Sequence, residues 1–394
     1  MFRRLLILLL VLCLALSVSA SAAAMEEEDV DITELVKIEE EETVRDKKDS
    51  DGAYIMTVTC TGDFTIGGDN YHKKDLFTPE LKNHDGDINF IMAGDGVRDL
   101  FINDDLTILN FEGTLTDTKS VPDSKKNNDF LFNISPDYVS VLPDNGVEAV
   151  SLANNHVFDH GEAGLADTKI ALDSAGVLYA SSTEPFVWNY KNQIQVAVLA
   201  YNCLDRYGDS FHRHHETGEF TDEFLSYDTF EEAVCADISA AKELYPLVIV
   251  CFHWGKEKMY SPTDNQVRLG RMAVDAGADL IIGNHSHRIQ PIECYNGKYI
   301  CYSLGNFCFA GHNKPSDMSS FIFQIRYRIK GETVSLKDFR VIPIRISSTK
   351  DRNDFIPTVF PDGSARDAVL NTLKDPSNIK GLDYAVTEFP LEFR

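Results

Sequence analysis

One stretch of the sequence decides the fold class: Leu280-Ile281-Ile282-Gly283-Asn284-His285-Ser286-His287. Residues 280–283 are an apolar run of strand length, which predicts a short buried strand. A helical pattern at residues 264–276 precedes it, opened by the capping box Thr263-x-x-Gln266 and closed by Gly277. A helix that leads into a buried strand is typical of an α/β domain, and two histidines follow where this strand ends.

The same alternation of helical and strand patterns extends outward from this stretch. Apolar runs rich in β-branched residues predict further strands at residues 54–61, 106–111, 147–152, 194–201, 247–252 and 299–303. A second helix is predicted at residues 230–245, after the capping box Thr229-x-x-Glu232. The chain therefore has the pattern of a layered α/β domain.

The end of this domain is marked by two alternating runs at residues 321–329 and 333–344. They flank Lys330-Gly331-Glu332 and predict a closing antiparallel hairpin. We expect one α/β domain at residues 53–346 and a C-terminal extension at residues 347–394.

Charge and composition limit the possible functions. The chain of 394 residues carries 62 acidic and 37 basic side chains, a formal net charge of −25. This excess of acid argues against a nucleic-acid-binding protein, because neutralising phosphates requires clustered Lys and Arg. An apolar fraction of 43% is enough for a large core and excludes a wholly disordered chain.

The N-terminal region predicts a location outside the cytoplasm. Residues 1–24 have the layout of a secretory signal peptide, with two arginines, an apolar run and Ala-x-Ala sites. The apolar run also has the length of an uncleaved membrane anchor, and this alternative stays open. Residues 25–52 predict a solvated acidic tether, with thirteen acidic and four basic residues between Glu26 and Asp51. Residues 52–394 still carry −18. We expect an extracytoplasmic protein, either secreted or anchored to the cell membrane.

The cysteines do not indicate a disulfide framework, because seven of them follow the signal segment and seven is an odd number. Cys294 and Cys301 flank the turn Asn296-Gly297, but that turn sets Cys294 opposite Tyr299 and Cys301 opposite Ile292. We expect most of the cysteines to be buried thiols.

Residues of the types that bind metals occur where the predicted strands end. They are Asp63, Glu112, Asn155, His253, His285 and His287. Taken singly, each has an ordinary explanation as a turn, a loop cap, an exposed acid or a core histidine. Because the carboxyl ends of strands in an open α/β sheet meet at one edge, the shared placement predicts a common metal site.

The ligand types indicate the metal and its chemistry. Carboxylate, amide oxygen and imidazole together suit a divalent ion such as Mn, Zn or Fe. Six ligands exceed one tetrahedral site, so we expect two ions with Glu112 as the bridging carboxylate. Asp63 and His156 are the predicted catalytic residues, and His156, which follows the ligand Asn155, would protonate a leaving group.

Six ordered motifs carry a resemblance to a known family. They are Gly62-Asp63, Asn110-x-Glu112-Gly113, Asn154-Asn155-His156-x-x-Asp159-x-Gly161, His253-Trp254-Gly255-x-Glu257, Gly277-Ala278-Asp279-x-x-x-Gly283-x-His285-x-His287 and Tyr302-Ser303-Leu304-Gly305-Asn306-Phe307. In this order they resemble CapA-type capsule-synthesis proteins, which include the PgsA-type component of poly-γ-glutamate capsule assembly. The resemblance covers about residues 54–346. It implies the calcineurin-like metallophosphoesterase fold, a four-layer α-β-β-α sandwich, whose metal motifs match Asp63, Asn155, His253, His285 and His287.

The sequence departs from the phosphoesterase pattern at two places. Thr65 stands where that pattern has a histidine two residues after the first aspartate. This departure, which CapA-type proteins share, predicts that one metal ion is weakly held. Asn284 and Ser286 stand where many relatives have His and Pro, which predicts a retuned loop that keeps its ligands.

Substrate contacts are expected from residues that adjoin the ligands in these motifs. They are Asn110, Trp254, Glu257, Arg288 and Asn306. Arg288 would supply local positive charge against the acidic background, with a solvated surface position as its other interpretation. Trp254 would offer an aromatic platform, with core packing as its other interpretation.

Three functions fit these patterns. The first is a metal-dependent hydrolase of capsule or cell-envelope polymer biosynthesis, which attacks a phosphoester or an amide. The second is a non-catalytic component that binds the polymer or assists its export in a capsule synthase complex. The third is a metal-stabilised module for small anions. The expected partners are an anionic polymer or phospho-substrate and a membrane synthase complex, and not a nucleic acid.

Overall fold

The computed structural model describes residues 47–69, 71–126, 130–204, 210–212, 224–360 and 363–393. Residues 48–394 belong to one structural unit. The predicted signal segment, residues 1–24, and most of the predicted tether, residues 25–46, lie outside the described residues. Within the described ranges, no helix combines the length and the apolar character needed to cross a bilayer.

Strands and helices alternate along the described chain, as the apolar runs predict. The strands are β1 (Tyr54–Thr65), β2 (Leu106–Phe111), β3 (Thr114–Leu115), β4 (Asn133–Ile134), β5 (Ala149–Ser151), β6 (Leu178–Ala180), β7 (Phe186–Tyr190), β8 (Ile194–Asn202), β9 (Ser210–His212), β10 (Phe224–Ser226), β11 (Leu247–His253), β12 (Leu280–Asn284), β13 (Ile292–Tyr295), β14 (Lys298–Cys301), β15 (Asn306–Phe309), β16 (Ser319–Lys330), β17 (Thr333–Arg345) and β18 (Thr358–Val359). The helices are α1 (Phe77–Asn83), α2 (Val97–Ile102), α3 (Gly161–Ala175), α4 (Tyr227–Leu244), α5 (Asp264–Asp275) and α6 (Ser364–Leu373).

The first of the two main sheets has the strand order β18-β17-β16-β1-β2-β5-β6. Its strands β1, β2, β5 and β6 are parallel, so their carboxyl ends share one edge. On the other side of β1, the antiparallel strand β16 pairs with residues 54–60. The parallel strand β15 pairs with the last residues of β1.

The second sheet has the order β13-β14-β12-β11-β8-β7. Its central strands β8, β11, β12 and β14 are parallel. The edge strands β7 and β13 are antiparallel to their neighbours. The carboxyl ends of β11 and β12, which precede or contain the predicted histidine ligands, therefore lie at one edge as well.

Apolar side chains on both faces of each sheet explain the layering. A core between the sheets contains Met56 and Val58 of β1 together with Val196 and Val198 of β8. On the outer face of the first sheet, α1, α2 and α3 pack through one core cluster. On the outer face of the second sheet, α4 and α5 pack through another. The result is an α-β-β-α sandwich, which confirms the predicted fold class.

Several element predictions are confirmed and one helix start is wrong. The hairpin β16–β17 and the capping box of α5, Thr263 with Gln266, are both present. Helix α4 begins at Tyr227 and not at Phe230, because β10 ends at Ser226 and leads directly into it. Thr229 therefore lies inside the helix.

Strand β1 extends to Thr65, beyond the predicted end at residue 61, because β15 pairs with its last residues. Asp63 lies inside the strand at an irregularity in the pairing with both neighbours, and not after the strand as predicted. Such bulges re-aim a side chain. Gly62 permits the close approach, since a Cβ there would lie 2.1 Å from the carbonyl oxygen of Gly305. The amide of Asp63 donates to that same oxygen at 2.9 Å.

Residues 347–394 pack onto the same unit. Strand β18 pairs with β17, at the edge of the first sheet. Val369 and Leu373 of α6 reach the core between the sheets. Phe355 joins the core under the helices of the first sheet. The C-terminal extension thus contributes to both cores.

The cysteines in the described ranges are free thiols, and most are buried. Cys294 and Cys235 are half-buried. Cys294 pairs with Tyr299 across β13 and β14, and Ile292 pairs with Cys301, as the turn predicts.

The contact at Gly62 gives a test of the fold. We expect Gly62→Ala to lower the free energy of unfolding by about 2 kcal/mol or more, because the added methyl group displaces the Gly305 backbone. Gly270→Ala in α5 is the matched control, since the atoms nearest its Cβ would be side-chain atoms of Ile300 and Trp254 at 3.3 Å and not a backbone carbonyl. Urea unfolding measures both variants. Equal stability of Gly62→Ala and wild type would contradict the close approach.

Candidate metal centre

The strand ends of both sheets bring the six predicted ligands together. Asp63 lies in β1, and Glu112 and Asn155 follow β2 and β5 of the first sheet. His253 is the last residue of β11, and His285 and His287 follow β12 of the second sheet. Regular strands therefore fix the backbone at or next to each predicted ligand. The ligand side chains form two groups.

The first metal group comprises Glu112, Asn155, His253 and His285. The candidate ligand atoms of Glu112, His253 and His285 lie within 4.8 Å of one another. The Nε2 atom of His253 is 3.5 Å from Oε1 of Glu112 and 3.1 Å from Nδ1 of His285. The amide oxygen Oδ1 of Asn155 lies 2.7 Å from the same Nε2 atom. This arrangement offers imidazole, carboxylate and amide donors to one cation.

The second metal group comprises Asp63, Glu112 and His287, whose candidate ligand atoms also lie within 4.8 Å of one another. Nδ1 of His287 is 3.1 Å from Oδ2 of Asp63. Glu112 is common to both groups, as expected of a bridging carboxylate.

Glu112 provides the test of whether these residues fit a metal. Its side chain is 1% exposed, and neither carboxylate oxygen has a hydrogen-bond partner among the described residues. Burial raises the pKa of Glu112 well above its ordinary value, and the negative charge of Asp63 raises it further. A buried charge without donors is strongly unfavourable unless a cation compensates it. The donor set therefore fits the divalent metal that the fold family implies.

The histidines differ in charge in ways that follow from their surroundings. Burial, followed by repulsion from His285 and His287, lowers the pKa of His253 well below its ordinary value. The same two causes, burial and the neighbouring His287, lower the pKa of His285 to about 3. For His287, burial is outweighed by Glu112 and Asp63, which raise its pKa to about 9. The first metal group thus has neutral imidazoles, the form that binds metals.

The loop after β12 holds its ligands in a strained backbone. His285 has a φ of 96° and His287 a φ of 50°. Such values cost about 1–3 kcal/mol each for a non-glycine residue. Contacts on the loop retain the conformation: Arg288 donates to the carbonyl of His287 at 2.6 Å, and His285 donates its amide to Asp63 at 3.4 Å. Strain that is maintained at two ligands points to a functional loop.

Buried side-chain amides form hydrogen bonds that orient the predicted ligands. Asn110 donates to Oδ1 of Asp63 at 2.9 Å and lies 3.3 Å from Nδ1 of His253. Asn154 donates to Oδ1 of Asn110 at 3.1 Å. Its own side-chain oxygen accepts from the amide of His156 at 3.0 Å. The motif around Asn154 thus connects both sheets to the predicted acid.

His156, the predicted proton donor, lies beside the first metal group. Its Nε2 atom is 4.0 Å from Oε1 of Glu112. Its Nδ1 atom is 2.7 Å from Oδ2 of Asp159, a buried carboxylate that also contacts Lys125 at 3.1 Å. Burial would raise the pKa of Asp159, but His156 and Lys125 outweigh it and lower that pKa. Asp159 lies in the same sequence motif as His156, but the sequence assigns it no role. No motif in the sequence identifies Lys125.

The structure corrects the predicted role of Trp254. Its side chain is 2% exposed and stacks on Phe252 at 4.5 Å between ring centroids. Its indole N–H donates to the carbonyl of Tyr302 at 2.8 Å. Trp254 is a core residue and does not offer a platform to a substrate.

Three more residues that are predicted to contact the substrate have polar groups engaged within the protein, and their substrate contacts stay predictions. Asn110 positions the ligands described above. Asn306 is buried, and its Oδ1 atom lies 2.8 Å from Nδ1 of His287. Arg288 donates to His287 and to Ser316, the latter at 2.6 Å. Glu257 is exposed and close enough for its charge to raise the pKa of His287.

Thr65 lies in the strand that carries Asp63, where it is fully buried. Its hydroxyl group has no hydrogen-bond partner among the described residues. Among the described residues, the second metal group therefore has three candidate ligands, and the first has four.

Comparisons with known proteins agree with the motifs. The family model of the bacterial capsule synthesis protein PGA_cap matches residues 57–311. The chain belongs to this family of bacterial capsule synthesis proteins. The match includes all six predicted ligands, and it confirms the family that the ordered motifs predict.

Similar proteins are named for the same process. The PGA biosynthesis protein CapA of Bacillus subtilis (strain 168) is 31% identical over 311 residues, which cover 77% of this chain and 75% of the relative. The capsule biosynthesis protein CapA of Bacillus anthracis is 28% identical over 300 residues, covering 74% of this chain and 67% of the relative. Among solved structures, the calcineurin-like phosphoesterase YfkN from Bacillus subtilis matches with 14% identity and a TM-score of 0.40. That match covers 82% of this chain and 97% of the other.

The buried carboxylate of Glu112 gives a test of the centre. We expect Glu112→Gln to raise the melting temperature of EDTA-treated protein at pH 8, because the variant removes a buried charge. The destabilisation by Glu112 is absent below its ordinary pKa of 4.5 and grows as the pH rises towards the raised folded-state pKa. The gain from the substitution should therefore be smaller at pH 5 than at pH 8.

Metal addition completes this test. A hundredfold excess of Mn²⁺ over its Kd should stabilise the wild type by about 2.7 kcal/mol and leave Glu112→Gln nearly unchanged. Glu332→Gln, at the exposed tip of the β16–β17 hairpin, should behave as the wild type in both buffers. A Glu112→Gln variant that is less stable without metal, or that Mn²⁺ stabilises equally, would contradict the bridging role.

Proposed function

We propose that this protein is a metal-dependent hydrolase that acts on an anionic polymer or a phospho-substrate in capsule or cell-envelope biosynthesis. One observation carries the proposal: the buried carboxylate of Glu112 joins two groups of metal-ligating side chains. A binding protein with one structural ion has no need of a second ligand group on the same carboxylate. The hydrogen-bonded pair His156–Asp159 beside it supplies the acid that hydrolysis requires.

The predicted ligands have distinct roles in the proposed centre. Two divalent ions, Mn, Zn or Fe, would be held by Asp63, Glu112, Asn155, His253, His285 and His287. When bound, such a pair makes a water molecule nucleophilic at neutral pH and stabilises negative charge at the attacked group. Asp63 and Glu112 supply the negative charge that retains the cations. Asn110 keeps Asp63 in place through its 2.9 Å hydrogen bond.

His156 is the residue placed to move a proton. Asp159 accepts from Nδ1, which leaves Nε2 on the side of Glu112. In the protonated ring, Nε2–H can donate to the leaving oxygen or nitrogen of a substrate at the centre. The buried Asp159 carboxylate fixes the ring and stabilises its positive charge.

The substrate class follows from charge and from the named relatives. The relatives from the two Bacillus species are named for PGA and capsule biosynthesis, and this process is carried over as part of the proposal. Residues 52–394 carry −18, so a polyanion is repelled from most of the surface. Cations at the centre would then be the place where a carboxylate or phosphate polymer is attracted.

We also place the protein outside the cytoplasm as part of this proposal. The layout of residues 1–24 supports a signal peptide or an N-terminal anchor, and residues 25–52 support an acidic tether. A membrane-bound capsule synthase complex is the partner that such a placement suggests.

A non-catalytic polymer-binding or export component is the second candidate function. Thr65 favours it, because a buried threonine leaves the second metal group one ligand short of the first. A protein of this kind would retain a single ion and bind the polymer without cleaving it.

Turnover separates these two functions. The purified protein, loaded with Mn²⁺, Zn²⁺ or Fe²⁺, is assayed with poly-γ-glutamate and with phosphomonoester and phosphodiester substrates. We expect His285→Ala to abolish metal binding and hydrolysis. His156→Gln should keep the metal, since His156 belongs to neither metal group, and lose about 10²- to 10⁴-fold in kcat.

His84→Gln is the control, because His84 stacks on Phe90 away from both groups. It should match the wild type in metal content and kcat. Full hydrolysis by His285→Ala would overturn the proposal. Saturable polymer binding with no turnover in any metal would establish the non-catalytic alternative.

A further inference from the structure

Lys125 is a buried basic residue in a domain whose charge is strongly negative. Its side chain is 8% exposed, whereas the neighbouring Lys126 side chain is 47% exposed and pairs with Asp123. A buried ammonium group requires compensating acceptors, because its desolvation is otherwise strongly unfavourable. The acceptors of Lys125 therefore show what the residue is placed to hold.

One acceptor of Lys125 is the carboxylate of Asp159, at 3.1 Å from Nζ to Oδ1. The other oxygen of that carboxylate accepts from the amide of Phe132 at 2.8 Å and faces Nδ1 of His156 at 2.7 Å. Lys125 thus donates to the carboxylate oxygen of Asp159 that does not contact His156. Rotation of the carboxylate would break the contact with Lys125 and the contact with His156 together.

The second acceptor is the backbone carbonyl of Asn155, at 2.6 Å from Nζ. The side chain of Asn155 lies 2.7 Å from His253 and belongs to the first metal group. One ammonium group therefore contacts both the partner of the predicted acid and the backbone of a predicted ligand. Two N–H groups of Lys125 are thus directed at residues of the candidate site.

We infer that Lys125 is a positioning residue. It fixes the His156–Asp159 pair relative to the predicted ligand Asn155. The inference rests on the proposed function for its effect on kcat, but the geometry it describes exists without turnover. Neutralising Lys125 should loosen Asp159 and hence His156, and should shift the Asn155 backbone relative to His253.

Ring-proton NMR of the full-length protein tests the geometry without any substrate. We expect the wild type to show a downfield, slowly exchanging Nδ1 proton of His156, assigned by its loss in His156→Gln. In Lys125→Met this signal should broaden or disappear, because Asp159 is no longer held on its far side. Lys125→Arg, which keeps the charge and the donors, should restore it.

Metal affinity and kinetics provide the second readout. Neighbours that orient a metal ligand or a catalytic group contribute about 10- to 100-fold to affinity or activity. We expect Lys125→Met to weaken Zn²⁺ binding or lower kcat within that range, with KM unchanged within about threefold, and Lys125→Arg to recover at least tenfold of the loss. Lys126→Met is the matched control and should leave all readouts unchanged.

The outcomes separate this inference from the proposed function. A Lys125→Met protein with the wild-type ring proton and Zn²⁺ affinity would overturn the positioning role. If the wild type turns over no substrate, the hydrolase proposal fails, and the NMR and Zn²⁺ measurements still decide the role of Lys125. If Lys125→Met does not fold, Lys125→Gln and Lys125→Arg are compared by the same two measurements.

Discussion

The rest of the site depends on one buried carboxylate that the described protein does not satisfy with hydrogen bonds. Glu112 is 1% exposed, and its oxygens have no donor among the described residues. His253 and His285 lie around it, but burial lowers the pKa of both, so its charge is opposed by His287 and not by these two residues. An ion-pair network would place donors on these oxygens. Ligand atoms that converge without donating are what a cation site requires, and this explains why the neighbouring side chains are imidazoles, an amide and a second carboxylate.

The surrounding fold makes this convergence possible by storing strain at the ligands themselves. Asp63 lies at an irregularity in β1, where Gly62 lets the Gly305 backbone approach. His285 and His287 have positive φ values that β12 and its loop maintain. Regular strands on either side, packed between two helical layers, supply the stability that offsets these local costs. Two of the nine non-glycine residues with positive φ in the described ranges, His285 and His287, are predicted ligands, so part of this local cost falls on the candidate site.

The layered fold and the ligand edge follow from local sequence patterns, whereas the supporting contacts depend on distant parts of the chain. Apolar runs predict the buried strands, and the ligands appear because each comes at a strand end. The extension of β1 past residue 61 depends on β15, far away in sequence. The role of Trp254 depends on its burial against Phe252 and Tyr302, which its neighbours in sequence do not reveal. Lys125 and the Asp159 that it contacts are 34 positions apart in the sequence, so no short motif could identify Lys125.

The charge of the site bears on the order in which metal ions and an anionic polymer could bind there. Asp63, Glu112, Asp159 and the exposed Glu257 place carboxylates in and beside the site, and Lys125 is already paired with one of them. Without cations, this local charge adds to the −18 of residues 52–394, and a carboxylate or phosphate polymer would be repelled. With cations, the same place becomes the point of attraction in an acidic surface. On the proposed function, metal binding would therefore precede the binding of an anionic polymer, and the availability of metal would control access of the proposed substrate.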